Sequence, residues 1–378
     1  MRLSSCSLLA LAVLAAPAAA QRPTAIDAPG LILDELRLSG GTVQRLALPP
    51  DGQPAFSVQL ELAGTRRTLD LHAHDLRAPD FALMAPGLDG QWRPIDTPPP
   101  TTYRGTVRGL ADSRVAVSLL AGQLAGSIHM GDALWAVQPA TDAAAYLPRT
   151  AHVVYSTADL LPFLDRCAAD QLAHPQATTD APAPRAPAGE APDGAASIAE
   201  IAFELTPAYR AKFGSTQEAM NAVETAMNSL DLIYRRDADI GYTITRMVAS
   251  GRDYTTGPIG TIITATLIWN IYAASIPRDV TQIMMGDPTT GTAGIAFISS
   301  VCTGLGYSVV WDYDSELTRL IIMTHELGHN WSSQHCAGPE CAIMCPSVCG
   351  CALGCTQQFS AVSIASIVRF RDTRTCLQ

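Results

Sequence analysis

The run His325-Glu326-Leu327-Gly328-His329, with His335 six residues further on, constrains this chain more than any other segment. On a helix, side chains four apart share a face, so His325 and His329 point to one side about one turn apart. Two imidazoles so placed can share one metal ion at about 2.0–2.1 Å. A continued helix would carry His335 away from that pair. A third ligand therefore requires the chain to turn back after His329. Asn330, Ser332 and Ser333 are polar residues that suit such a break. Three histidines with one open position form the donor set of a catalytic zinc ion. Glu326, next to His325, is placed to take a proton from water as general base. The rival reading has two histidines capping a core helix. The third histidine at the required spacing favours the metal.

The segment 175–194 is rich in Pro, Ala, Thr and Gly, with almost no large apolar residues. It cannot bury a core and reads as a linker over 175–195. The flanking halves are 21–174 and 196–378, as a length of 378 residues suggests. With 48 % hydrophobic and 16 % charged residues, both halves can bury cores, which excludes global disorder. A net charge of -10 repels phosphate backbones and excludes nucleic acid as a partner. Arg2, the apolar run 8–16 and Ala18-Ala19-Ala20 read as a signal peptide over 1–20. That run is too short for a membrane span, which needs about 20 residues. The expectation is a secreted protein with no stable membrane anchor. One Lys against many Arg, with heavy Ala and Pro use, suggests a bacterial source.

The first half alternates with period two at 56–62 and 114–119, which predicts a β-rich unit. His72, His74, His129 and His152 are scattered through it. His72 and His74 could hold a metal from one strand face, but a solvated or core pair is favoured because no third ligand stands nearby. The second half alternates strand and helix. Strands are expected at 201–205, 240–244, 280–285, 294–301 and 307–311. A capping box at Ser215 and Glu218 opens a helix to about Arg235, with Ala219, Val223, Met227, Leu230 and Tyr234 on one face. A short helix is expected at 264–275, and Ser315 caps the helix that bears His325 and His329.

The spacing of the three histidines resembles that of the metzincin zinc peptidases. Ser332 stands where that family keeps the glycine of the turn. Cys341-Ala342-Ile343-Met344 resembles the lead-in to the family's Met-turn, which makes Met344 the methionine beneath the ligands. A plain core role for Met344 predicts nearly the same packing. Phe359-Ser360 and the apolar helix at 362–370 resemble the end of an adamalysin (reprolysin) domain. In the first half, Tyr103-Arg104-Gly105-Thr106-Val107-Arg108-Gly109, Asp112-Ser113, Val115-Ala116-Val117-Ser118, Gly122 and Trp135-Ala136-Val137-Gln138-Pro139 resemble the reprolysin propeptide. The resemblance implies an α+β, zincin-like catalytic domain with a mixed twisted sheet and an active-site helix, preceded by a β-rich propeptide. It also implies that substrate binds as an added strand, for which 294–299 is the candidate edge. An internal core strand is the alternative there.

Nine cysteines follow the leader, and in an oxidising compartment most should pair. Cys167 stands alone before the linker. The resemblance makes Asp165-Arg166-Cys167 a candidate cysteine switch, in which a thiolate takes the open zinc position. An inert or intermolecular thiol is the alternative. Cys302 and Cys376 resemble the family bridge to the chain end. Cys336, Cys341, Cys345, Cys349, Cys351 and Cys355 would form three further pairs, with 15 possible connectivities. A thiolate zinc site is the rival, which export disfavours.

Together these features predict a secreted, monomeric zinc endopeptidase made as a zymogen. Its partners would be protein or peptide substrates and its own propeptide as intramolecular inhibitor. One Zn2+ is implied, and no residue pattern supports Ca2+. The alternatives are a non-catalytic zinc-binding or adhesion module on the same fold and a zinc hydrolase of other substrates. Glu326 disfavours the first, and the propeptide resemblance disfavours the second. No further module is expected after 378, and Arg185 is the candidate maturation site.

Overall fold

A computed structural model describes residues 25–87, 91–172, 197–288, 291–336, 341–351 and 355–378. The expected leader at 1–20, the linker at 175–195 and Arg185 lie outside the described residues. The first half contains β1 (Ile26–Asp27), α1 (Gly30–Leu36), β2 (Thr42–Arg45), β3 (Ala55–Leu62), β4 (Thr65–Ala73), β5 (Arg77–Pro86) and β6 (Trp92–Ile95). It continues with β7 (Thr102–Val107), β8 (Leu110–Leu120), β9 (Gln123–Met130), β10 (Ala133–Pro139), β11 (Ala151–Ser156) and β12 (Arg166–Cys167). The two alternating runs lie in β3 and β8, where every second side chain enters a core around Leu60, Leu69 and Val117. Nine of these strands form one antiparallel sheet in the order β1-β2-β11-β10-β9-β8-β7-β4-β3. The helix α1 went unpredicted, since seven residues are too few to show a helical period.

The second half contains β13 (Ser197–Leu205), α2 (Pro207–Phe213), α3 (Thr216–Ala238), β14 (Ile240–Ala249), α4 (Gly257–Tyr272), β15 (Val280–Met285), β16 (Thr292–Ala296), β17 (Tyr307–Trp311), α5 (Glu316–Asn330) and α6 (Ala361–Arg371). Its sheet runs β12-β16-β17-β15-β13-β14-β5-β6. The pairs β16–β17 and β5–β6 are antiparallel and the others parallel. Three strands before the linker, β5, β6 and β12, thus extend the sheet of the half after it. This is an α+β arrangement of mixed sheets and helices.

Local chemistry explains where elements depart from expectation. At α3, Ser215 Oγ accepts from the Glu218 N–H at 3.1 Å. Glu218 does not reach back to the backbone; its carboxylate accepts the Ser215 hydroxyl instead, at 2.9 Å. The helix α4 starts at Gly257, earlier than expected, because Pro258 suits the first turn where no N–H is needed. The strand β16 stops at Ala296 rather than 301. There the chain turns so that the N–H groups of Ser299 and Ser300 meet the carbonyls of His329 and Asn330.

The helix α3 lies between the two sheets and is buried on both faces. Ala219, Val223, Met227, Leu230 and Tyr234 enter the main core as expected. The opposite face carries Glu224, Thr225, Asn228, Ser229 and Asp231, also buried. Such groups tolerate burial only when paired. Arg77 meets Glu224 and Arg104 meets Asp231, each at 2.5 Å. Ser118 and Thr225 share a hydrogen bond of 2.6 Å, and Ser127 donates to Ser229 at 2.7 Å.

Two of the first-half histidines, His129 and His152, are buried. Neither His72 nor His74 belongs to a group of three potential metal ligands among the described residues. His152 is fully buried; its Nε2 accepts from the Leu124 N–H at 2.9 Å and its Nδ1–H donates to Thr150 O at 3.0 Å. Both ring nitrogens are thus committed to the neutral tautomer. Burial lowers the His152 pKa to about 4 and that of His129 to about 3. The unfolded chain takes up these protons first, near pH 6.5. Their stabilisation is therefore complete above about pH 6.5 and declines as pH falls towards about 4, by about 1.4 kcal/mol per unit for each group. Buried acids such as Asp142, whose pKa burial raises to about 7, act in the opposite sense, so the check is a comparison: between pH 7 and pH 5, denaturant titrations should show wild type losing about 2 kcal/mol more stability than His152→Gln. The same pH dependence in both proteins would contradict this.

Candidate metal centre

The helix α5 is buried along its whole length. Ser315 Oγ accepts from the Thr318 N–H at 3.3 Å, the expected cap. The first half supplies two more acceptors at this end. Gln138 Oε1 accepts from the Glu316 N–H at 2.9 Å, and Tyr155 OH from the Leu317 N–H at 3.4 Å. At the other end the helix stops at Asn330, whose side-chain amide donates to Phe297 O, Ser300 Oγ and Tyr307 O. Ser332 then adopts φ 79°, the left-handed region that glycine enters freely. For a serine this conformation costs about 1–2 kcal/mol, and a hydrogen bond of 2.8 Å from the Ser299 hydroxyl helps hold it. The chain turns back, as the spacing required.

This turn brings the three histidines together. His325 Nε2 and His329 Nε2 lie 3.0 Å apart, and His335 Nε2 lies 3.3 and 3.2 Å from them. Each Nδ1 faces an acceptor: Ile343 O for His325 and Ser333 O for His329, both at 2.8 Å, and Asp170 Oδ2 for His335 at 2.7 Å. With the Nδ1 proton so engaged, every Nε2 offers a lone pair. Three converging lone pairs repel unless a cation lies between them. A tetrahedral ion with ligands at about 2.0–2.1 Å places its donors about 3.3 Å apart, which this set approaches. Burial lowers the His325 pKa to about 3, leaving the neutral ring that ligates metals.

Glu326 is 1 % exposed, and its Oε1 has no hydrogen-bond partner. Burial raises its pKa to about 8; a neighbouring cation acts in the opposite sense. Cys167, half-buried and the one free cysteine among the described residues, reaches the same point. Its Sγ lies 3.4 Å from His329 Nε2 and 3.5 Å from Glu326 Oε2. Burial, then the Glu326 charge, push its thiol well above the usual range. Cys167, His325, His329 and His335 form one four-residue group able to hold an ion.

Met344 is fully buried against α5, beside Gly328. A Cβ on Gly328 would lie 2.5 Å from Met344 Sδ, so glycine is what lets the methionine approach the helix. The candidate edge strand, β16, is bordered by β17 on one side and by β12 on the other. The 166–168 segment donates N–H groups to Gly291 O, Pro346 O and Gly294 O at 3.1, 2.9 and 2.9 Å. An apolar pocket opens beside His325 and Glu326, walled by Ile321, Ile322, Ala342, Ile343 and Val348. Disulfides Cys336–Cys341, Cys345–Cys351 and Cys349–Cys355 brace its surroundings, and Cys302 pairs with Cys376. The clustered cysteines are therefore spent in bridges rather than on a thiolate metal site. Sequence reasoning missed Asp170, which no motif marks, and the need for Gly328 above Met344.

Residues 220–336 match the family model Reprolysin_3, described as "Metallo-peptidase family M12B Reprolysin-like". The matched segment runs from α3 through all three histidines, so this region is reprolysin-like and of metallopeptidase type. No curated protein matches the chain. Among solved structures, "Crystal Structure of metalloproteinase-II from Bacteroides fragilis" is 12% identical, with 85% of this chain and 92% of that one covered and a TM-score of 0.44. "Structure of a chaperone-substrate complex" is 13% identical over 47% of this chain, with a TM-score of 0.36, and the match spans only 36% of that chain. Similarity this distant carries no argument about function. No helix of the described residues is long and apolar enough to cross a membrane.

Proposed function

We propose that the chain is a secreted bacterial zinc endopeptidase made as a latent precursor, with a β-rich propeptide at 21–174, a linker at 175–195 and a metzincin-type catalytic domain at 196–378. The observation that carries this reading is the convergence of three imidazole lone pairs, 3.0–3.3 Å apart, on a point beside a buried, unpartnered carboxylate oxygen. His325, His329 and His335 would hold the ion. A zinc ion there supplies a Lewis acid that acidifies water and polarises a peptide carbonyl. Glu326 takes the proton from the attacking water and passes it to the departing amine. The rim of β16 aligns an extended peptide through backbone hydrogen bonds, and the pocket beside Glu326 receives an apolar side chain. Cys167 holds the site closed until processing.

The match to a metallopeptidase family supports hydrolysis of peptide bonds over a purely adhesive role. Protein cut in the linker and loaded with zinc should degrade casein, and a chelator should stop it. Absence of cleavage by fully processed, zinc-loaded protein would overturn the endopeptidase reading.

A further inference from the structure

The three histidines are not held alike. The Nδ1 partners of His325 and His329 are the backbone carbonyls of Ile343 and Ser333, both after the linker. The Nδ1 partner of His335 is the carboxylate of Asp170, 165 positions earlier in the chain and before the linker. The His335 side chain is 9 % exposed, whereas that of Asp170 is 66 % exposed. Asp170 sits in a single 3-10 turn, Ala169–Gln171, which begins two residues after Cys167. That turn is fastened at both sides. Ala168 N–H donates to Gly294 O, and Ala168 and Leu172 are buried against a core that includes Ile295 and Trp311.

We propose that Asp170 is a positioning residue for the metal centre of the full-length chain, so that the segment covering the centre also assembles it. The proposal rests on reading His325, His329 and His335 as zinc ligands. A carboxylate on the far nitrogen of a ligand imidazole fixes its tautomer and ring angle and raises its basicity, and loss of such a partner commonly costs 10–100-fold in metal affinity. His335 depends on this more than its neighbours do. His325 and His329 ride on a buried helix, while His335 follows a turn, and Asp170 is the one Nδ1 partner it meets among the described residues. Cys167 and Asp170 therefore act on different ligands of one centre: the thiol lies against His329 Nε2, and the carboxylate meets His335 Nδ1. Cutting the linker and losing this segment would free His335 Nδ1 as well as remove the thiol.

The test uses the full-length chain, with zinc affinity measured against a competing chelator and cobalt(II) as a spectroscopic probe of the ligand field. Asp170→Ala should weaken zinc binding by about 10–100-fold and shift the cobalt absorption. Asp170→Asn, which keeps a neutral acceptor, should lose less. The metal-free melting temperature should not change, since the side chain is largely exposed. Wild-type zinc affinity and cobalt spectrum in Asp170→Ala would overturn the proposal while the zinc reading stands. A fall in metal-free melting temperature that accounts for the zinc loss would also overturn it. His325→Ala separates the two levels: if it binds zinc as tightly as wild type, the ligand assignment fails, and the role of Asp170 fails with it.

Discussion

Glu326→Ala is expected to cut casein hydrolysis by the processed protein about 10²–10⁴-fold, the usual contribution of a positioned general base. Zinc content should stay at the wild-type level. Glu326 stands outside the ring of three imidazole nitrogens and has one carboxylate oxygen without a partner. Its removal takes away a proton acceptor and leaves the donors in place. Gly294 contributes to this geometry, because any Cβ there would collide with the Glu326 carboxylate. Casein turnover and metal content, measured on the same sample, check the expectation. Full activity in the alanine variant would rule out Glu326 as the base. Loss of zinc with loss of activity would make its role structural.

Cys167→Ser in the full-length, uncut chain should release casein hydrolysis about tenfold or more over the uncut wild type. A tenfold release needs only about 1.4 kcal/mol. The Cys167 sulfur lies 3.4 Å from His329 Nε2, and a thiolate is a soft, strong zinc ligand where a serine hydroxyl is a weak one. The segment would keep its backbone hydrogen bonds to Gly291, Pro346 and Gly294, so the release is partial and linker cleavage should raise activity further. Assays before and after cleavage of the linker give both numbers. A variant that stays silent until cleavage would place the lock in the surrounding segment rather than in the sulfur.

The helix, the turn and the three histidines were legible because metal ligation demands donors at set spacings, and His325, His329 and His335 meet that demand within eleven residues. Cys167 was legible for a different reason, since eight other mature cysteines could pair and it could not; the four bridges leave it free. Ser332 was marked as a departure from glycine, and its φ of 79° shows the serine in the conformation the turn needs. What stayed hidden depends on contacts distant in sequence. Asp170 reaches His335 across 165 positions, and no local pattern encodes that. The strands β5 and β6 read as part of a first-half β unit, yet they pair beside β14, because strand alternation records burial and not the identity of the neighbour. The second buried face of α3 was hidden too. Nothing local in the sequence ties its Glu224, Asn228 and Asp231 to Arg77 and Arg104, which lie more than 120 positions earlier and pair with them.

The strand β12 has one further effect. An outermost strand with free N–H and C=O groups is a template for association with other chains, and natural sheets commonly shield it. Beside β16 that shield is two residues long, Arg166 and Cys167, and they take up part of the row that an extended peptide would use. On the proposed reading, self-association and substrate capture draw on the same few hydrogen bonds. While the chain's own strand holds them, the molecule is protected from joining its copies by the same contact that keeps it from joining a peptide. A cleavage that opened the rim to substrate would also make it sticky.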